Sequence, residues 1–183
     1  MFRIVALALA ATVVVFVGVG YLLTDRWSVD SDRLVTAPVE RVEPLLRDFK
    51  AWQAWSGMTV ELGAGMEQKF SGDPGSVGHQ VMWTGAQGDA ILRLAAIGPG
   101  RLDYDFLSRR PEDAEPTLIA RGHIVWRTDG EGTRVEWHDE GELRNLIERW
   151  IGWFGALQEQ VRQIQGSSLA GLQKAVDSPV QPK

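Results

Sequence analysis

A chain of 183 residues with a net charge of −5 and no cysteine is long enough for one domain with a sizeable core, and it excludes chemistry that depends on a cysteine nucleophile or ligand. The acidic balance, with a pI near 5.2, excludes a nucleic-acid surface, which needs a basic stripe to offset phosphate charge. It also disfavours electrostatic docking on anionic lipid.

The first segment is an unbroken apolar run, IVALALAATVVVFVGVGYLL, from Ile4 to Leu23. At ~1.5 Å of rise per residue, a helix of about 20 residues spans the ~30 Å hydrocarbon core of a bilayer. A cleaved secretory signal has a shorter apolar centre of about 7 to 15 residues and a small-x-small cleavage site. Gly18 and Gly20 supply small residues, but the run continues through Tyr21, Leu22 and Leu23. The expectation is therefore an uncleaved anchor over residues 1–24, contacting the membrane through residues 4–23, with a single domain over residues 25–177 and a solvated tail over 178–183. Arg3 precedes the run, and a short basic N-terminus favours the cytoplasm. That places the domain on the extracytoplasmic side of the cell membrane.

Trp27, Val29 and Val35 alternate with polar residues, the period of a half-buried strand. Pro38 suits the first turn of a helix, and Val39, Val42, Leu45, Leu46 and Phe49 follow at helical spacing. Trp52 and Trp55, three apart, share a face on a helical turn. Six short strands follow, near residues 66–71, 78–84, 90–97, 101–108, 117–128 and 133–140. Their separators are rich in turn formers, such as Asp73-Pro74-Gly75, Gly98-Pro99-Gly100 and Asp129-Gly130-Glu131-Gly132. Strands joined so tightly are antiparallel.

From Leu143 the pattern turns helical. Ile147, Trp150, Phe154, Leu157, Val161 and Ile164 make a stripe, weakened at Gly166-Ser167-Ser168 and resumed at Leu169, Leu172 and Val176. This predicts one long C-terminal helix packed on the sheet. A four-residue loop at Asp129–Gly132 would set Thr128 opposite Thr133, Trp126 opposite Val135 and Ile124 opposite Trp137 on an inner face. His123, Val125, Arg127, Arg134, Glu136 and His138 then form a solvated outer face.

The order of elements and several local motifs resemble the START-like polyketide cyclase and dehydrase superfamily. The motifs are Ala37-Pro38, Asp48 with Trp52 and Trp55-Ser56, Gly75-x-x-Gly78 before Trp83-Thr84-Gly85, Gly88, Gly132-Thr133-Arg134-Val135-x-Trp137, and Leu169-x-x-Leu172-x-Lys174. The chain departs from the pattern at Gly57-Met58, where relatives often carry Pro-Trp after the serine. The resemblance implies an α+β helix-grip fold, a curved antiparallel sheet wrapped around the last helix, here preceded by the transmembrane helix. It also implies an apolar cavity for a lipid or other hydrophobic small molecule. It carries no shared catalytic motif, so no catalytic residue is assigned, and no cofactor or metal is expected.

Trp83, Tyr104, Phe106, Trp126, Trp137 and Phe154 are the candidate lining of that cavity, because aromatic walls accept varied apolar shapes. The same residues also serve as plain core under the last helix, and both readings stay open. His123 opposite His138, with Glu136 diagonal, falls short of a zinc set without a third ligand. Asp103 and Asp105 face solvent if Leu102, Tyr104 and Phe106 face the core. The cluster of Trp150, Ile151, Trp153 and Phe154 has the chemistry of a membrane interface, but Trp150 and Phe154 belong to the stripe expected on the sheet, and Trp153 alone is assigned outward. The leading expectation is a membrane-anchored domain that binds a hydrophobic small molecule or lipid. The alternatives are a cyclase- or hydratase-type enzyme and an envelope interaction module with a closed core.

Overall fold

The computed structural model describes residues 2–59 and 65–178; the end of the expected tail, 179–183, lies outside them. In chain order the elements are α1 (Phe2–Leu22), β1 (Arg26–Val35), α2 (Val39–Arg47), a 3-10 turn (Ala51–Ala54), β2 (Glu67–Ser71), β3 (Gln80–Gly85), β4 (Gly88–Gly98), β5 (Arg101–Arg109), β6 (Thr117–Asp129), β7 (Gly132–Glu142), α3 (Leu146–Trp153) and α4 (Ala156–Asp177). α1 has the length and apolar composition to cross a membrane, a property that signal sequences share.

The strands form one antiparallel sheet in the order β1-β7-β6-β5-β4-β3-β2. Alternation decides its faces. Val81 and Trp83 of β3, Leu92 and Leu94 of β4, Leu102 and Tyr104 of β5, Ile124 and Trp126 of β6 and Val135 and Trp137 of β7 are all buried on the inner side. Register shifts between Leu94 and Ala96 and between Phe106 and Leu107 are of the kind that bends a strand and curves its sheet. α4 packs across the inner side against β1, α2 and the 3-10 turn, burying Leu169, Leu172 and Val176.

The 3-10 turn carries Trp52 and Trp55 into this core as the three-residue spacing requires, with ring centroids 5.0 Å apart. Their indole N–H groups donate to Leu46 O and Leu45 O at 2.8 and 3.1 Å, so neither ring buries an unpaired donor. His79 is a core residue. Its Nε2 lies 3.2 Å from Phe49 N and 3.4 Å from Asp48 Oδ1, and its Nδ1 is 3.2 Å from the carbonyls of Ser71 and Gly72.

Two expectations need correction. The β6–β7 register is as predicted, with Ile124 opposite Trp137 and Trp126 opposite Val135, but Asp129 pairs with Gly132, so the loop is the two residues Gly130 and Glu131. Gly130 at φ +60° supplies the left-handed conformation that a two-residue hairpin needs.

The single C-terminal helix is in fact two. Gly155, at φ +72°, adopts a backbone conformation that costs other residues roughly 1–2 kcal/mol, ending α3 and starting α4. The break resets the helical phase. Ile147 and Phe154, expected on the sheet, are 70% and 76% exposed, whereas Leu157, Val161 and Ile164 are half-buried.

Leu172 is fully buried where α4 meets the sheet. Leu172→Ala is expected to lower the unfolding free energy by about 2–5 kcal/mol in urea titration. The same substitution at exposed Lys174 is expected to stay within about 0.5 kcal/mol.

Candidate functional site

Two of the residues expected to line a cavity, Tyr104 and Trp137, face α4 from β5 and β7. Trp52, Trp55, Tyr104 and Trp137 meet there with ring centroids 5.0 to 5.9 Å apart. Trp83 and Trp126 belong to the same buried cluster, and half-buried Phe106 packs against its edge. Arg47 lies over the Trp126 ring at 5.9 Å and donates to Gly98 O at 3.1 Å, covering that end of the cluster. These side chains pack ring on ring.

Set among the rings is a polar constellation. Asp139 continues the inward alternation of β7 two residues after Trp137 and is 4% exposed. One carboxylate oxygen accepts from the Tyr104 hydroxyl, and the other accepts from Gln165 Nε2 of α4 at 2.8 Å. The Tyr104 oxygen in turn accepts from Trp137 Nε1 at 2.6 Å. Gly122 lies directly over this group, where a Cβ would collide with both Asp139 and Tyr104. Sheet and helix are thus joined by hydrogen bonds at their centre.

Burial holds the Asp139 carboxyl above its ordinary value of 3.8, against the lowering effect of its bonds to Tyr104 and Gln165. Tyr104 is pushed well above 10.0 by burial first and by the adjacent Asp139 charge second. Among the described residues, the buried Gln165 Oε1, Ser56 Oγ and the indole nitrogens of Trp83 and Trp126 have no hydrogen-bond partner. Burying such an atom unpaired costs about 1–3 kcal/mol. A mostly apolar lining with a few convergent polar groups is the composition of a small-molecule site.

The sequence reading missed Asp139 and Gln165. The signal was present: Asp139 is in phase with Val135 and Trp137, and Gln165 lies four and seven residues before Leu169 and Leu172. Phe154 does not belong to the site, because the break at Gly155 turns it away from the sheet.

The outer face is as expected. Asp103 pairs with Arg101 and Asp105 with Arg93. His123 and His138 stack at 4.9 Å, and His138 Nδ1 is 2.7 Å from Asp30 Oδ1. His123 is held below the ordinary histidine range, mainly by partial burial and then by Arg101 and His138. Among the described residues no cluster of three or more His, Cys, Asp or Glu side chains is arranged to hold a metal ion.

A seven-stranded antiparallel sheet closed by one long C-terminal helix is the helix-grip architecture, here with a buried polar pivot. Residues 26–177 match the family described as polyketide cyclase / dehydrase and lipid transport; the chain belongs to that family, within the START-like superfamily. A comparison with curated proteins returned no match. Among solved structures, a protein from Nitrosospira multiformis is 21% identical with a TM-score of 0.56, over 81% of this chain and 94% of its own. A protein from Thermus thermophilus is 21% identical with a TM-score of 0.56, over 85% of this chain and 100% of its own. DynU16, from the dynemicin biosynthetic locus, is 14% identical with a TM-score of 0.55, over 82% of this chain and 47% of its own. Likeness at these identities shows the fold.

The raised value for Asp139 fixes a sign. The folded state binds this proton more tightly than the unfolded chain does, so the associated stability is complete below about pH 3.8 and is lost as pH rises through the native value. Asp139→Asn keeps an acceptor for Tyr104 and removes the titration. The wild-type minus variant difference in urea midpoint is expected to turn against the wild type as pH rises from 4 to 8. A difference that is flat with pH contradicts this account.

Proposed function

We propose that this protein is a membrane-anchored START-like domain that takes up a hydrophobic small molecule or lipid between the sheet and α4. The observation that carries the reading is the Asp139–Tyr104–Gln165 constellation within the aromatic interior. A lipid or polyketide has a long apolar body and few polar atoms, and such a molecule needs apolar walls with one polar contact to fix its orientation. Entry requires α4 and the 3-10 turn to separate from the sheet, since the rings fill the space between them. The anchor, read as a span that stays attached, raises the local concentration of membrane-derived ligands.

A second reading rests on the same carboxyl. A buried acid held toward its protonated form beside a phenol is suited to proton donation, as a cyclase- or hydratase-type reaction requires. In that case Asp139→Asn abolishes turnover while leaving binding intact.

Native mass spectrometry of the full-length protein released from lipid nanodiscs is expected to find an apolar molecule retained by the chain. Tyr104→Phe removes the two hydrogen bonds of the Tyr104 hydroxyl, the one it donates to Asp139 and the one it accepts from Trp137, and is expected to lower retention roughly two- to tenfold. Retention that is insensitive to Tyr104 and Asp139 substitutions assigns the molecule to the surface of α1 instead. An unliganded chain in every lipid tested removes the proposal.

A further inference from the structure

We propose that α3 and the turn after it form a second, shallow membrane contact, seated at the boundary between headgroups and acyl chains beside α1. The inference rests on reading α1 as a membrane span.

The packing of α3 on α1 supplies the depth. Trp150 stacks on Phe16 with centroids 4.7 Å apart and planes 8° from parallel. A Cβ on Gly20 would lie 2.7 Å from Trp150 Nε1 and collide with Leu146, so the glycine is what lets the two helices approach. Contacts nearer the domain are polar. Leu143 N donates to Asp25 O at 2.7 Å, and Arg149 donates to Tyr21 O at 3.3 Å and lies 3.8 Å from the Asp25 carboxylate.

Passing from Leu143 to Trp150, α3 therefore descends along α1 from the level of Asp25 to that of Phe16. Polar contacts lie at the exit of the span and apolar ones below it. From Leu22 back to Phe16 is ~9 Å of helix, which coincides with the roughly 5–10 Å at which interfacial helices bury their apolar face.

The residues α3 turns away from the protein have the matching chemistry. Ile147, Ile151, Trp153 and Phe154 are 70%, 46%, 63% and 76% exposed, a density of large apolar side chains that a water-facing surface rarely carries. Phe154 stacks on Trp150 at 6.1 Å, making the patch continuous with the α1 contact. The charged residues of α3 point elsewhere: Glu148 caps its N-terminus against Asn145 and Arg144, and Arg149 reaches the exit of α1. With no basic excess, the contact is apolar insertion, independent of anionic lipid.

The absence of cysteine makes single-site labelling direct. Phe154→Cys, Val14→Cys and Glu131→Cys, at exposed positions in α3's turn, α1 and the β6–β7 loop, would each carry a nitrobenzoxadiazole label. The full-length chain would then be reconstituted in phosphatidylcholine vesicles containing a lipid with a shallow doxyl quencher. The label at position 154 is expected to lose about half its emission or more, as an interfacial site should, with quenching also at position 14 and none at 131. Quenching at 14 without quenching at 154 leaves the anchor in place and overturns the inference. A label at 154 that is shielded from water but unquenched by lipid also overturns it, by assigning the patch to a second protein copy. No quenching at 14 removes the anchor reading, and the inference with it.

Discussion

The structure depends on one contact, the seating of α4 against the inner face of the sheet. Together with α2 and the 3-10 turn it keeps Trp83, Trp126, Val135 and Trp137 from water, and a single sheet with one apolar face cannot stand alone. Leu169, Leu172 and Val176 of α4 supply the apolar part of that contact, and Gln165 supplies the polar part through Asp139. The two parts differ in kind. Apolar burial is non-directional and tolerates sliding, whereas the Asp139–Gln165 bond holds one position of the helix against β7. A carboxyl in such a place is costly for stability. It is accommodated by Tyr104 and Gln165 and by a shift toward its protonated form.

The same constraint gives the interior its character. Where the helix closes over the sheet, four aromatic side chains from three elements meet and fill the intervening space. Asp139 is reached from the sheet by Tyr104 and from the helix by Gln165, so its hydrogen bonding depends on where α4 sits.

Family resemblance and fold agree, yet membership describes a scaffold that hosts several activities. Beyond the scaffold, the structure shows α1, α3 packed along it, and the buried acid at position 139. Trp150 on Phe16 and Leu143 on Asp25 join the apolar helix α1 to the folded unit that holds the aromatic interior.

The sequence by itself determined the element order, the β6–β7 register, the inward face of the strands and the apolar segment from Ile4 to Leu23. These follow from local periodicity and from turn chemistry, which act over a few residues. Residues Trp83, Tyr104, Trp126 and Trp137 were legible as inward for the same reason, and Asp139 was legible in phase though not in partner. The tertiary structure decided that Gly155 breaks the last helix and so sends Phe154 outward, since a helical stripe records spacing but not where the chain resets its phase. It also decided that Asp139 meets Tyr104 and Gln165, and that Trp150 meets Phe16. Those pairs lie far apart in sequence, and only the closing of the sheet over α4, and the packing of α3 on α1, bring them together.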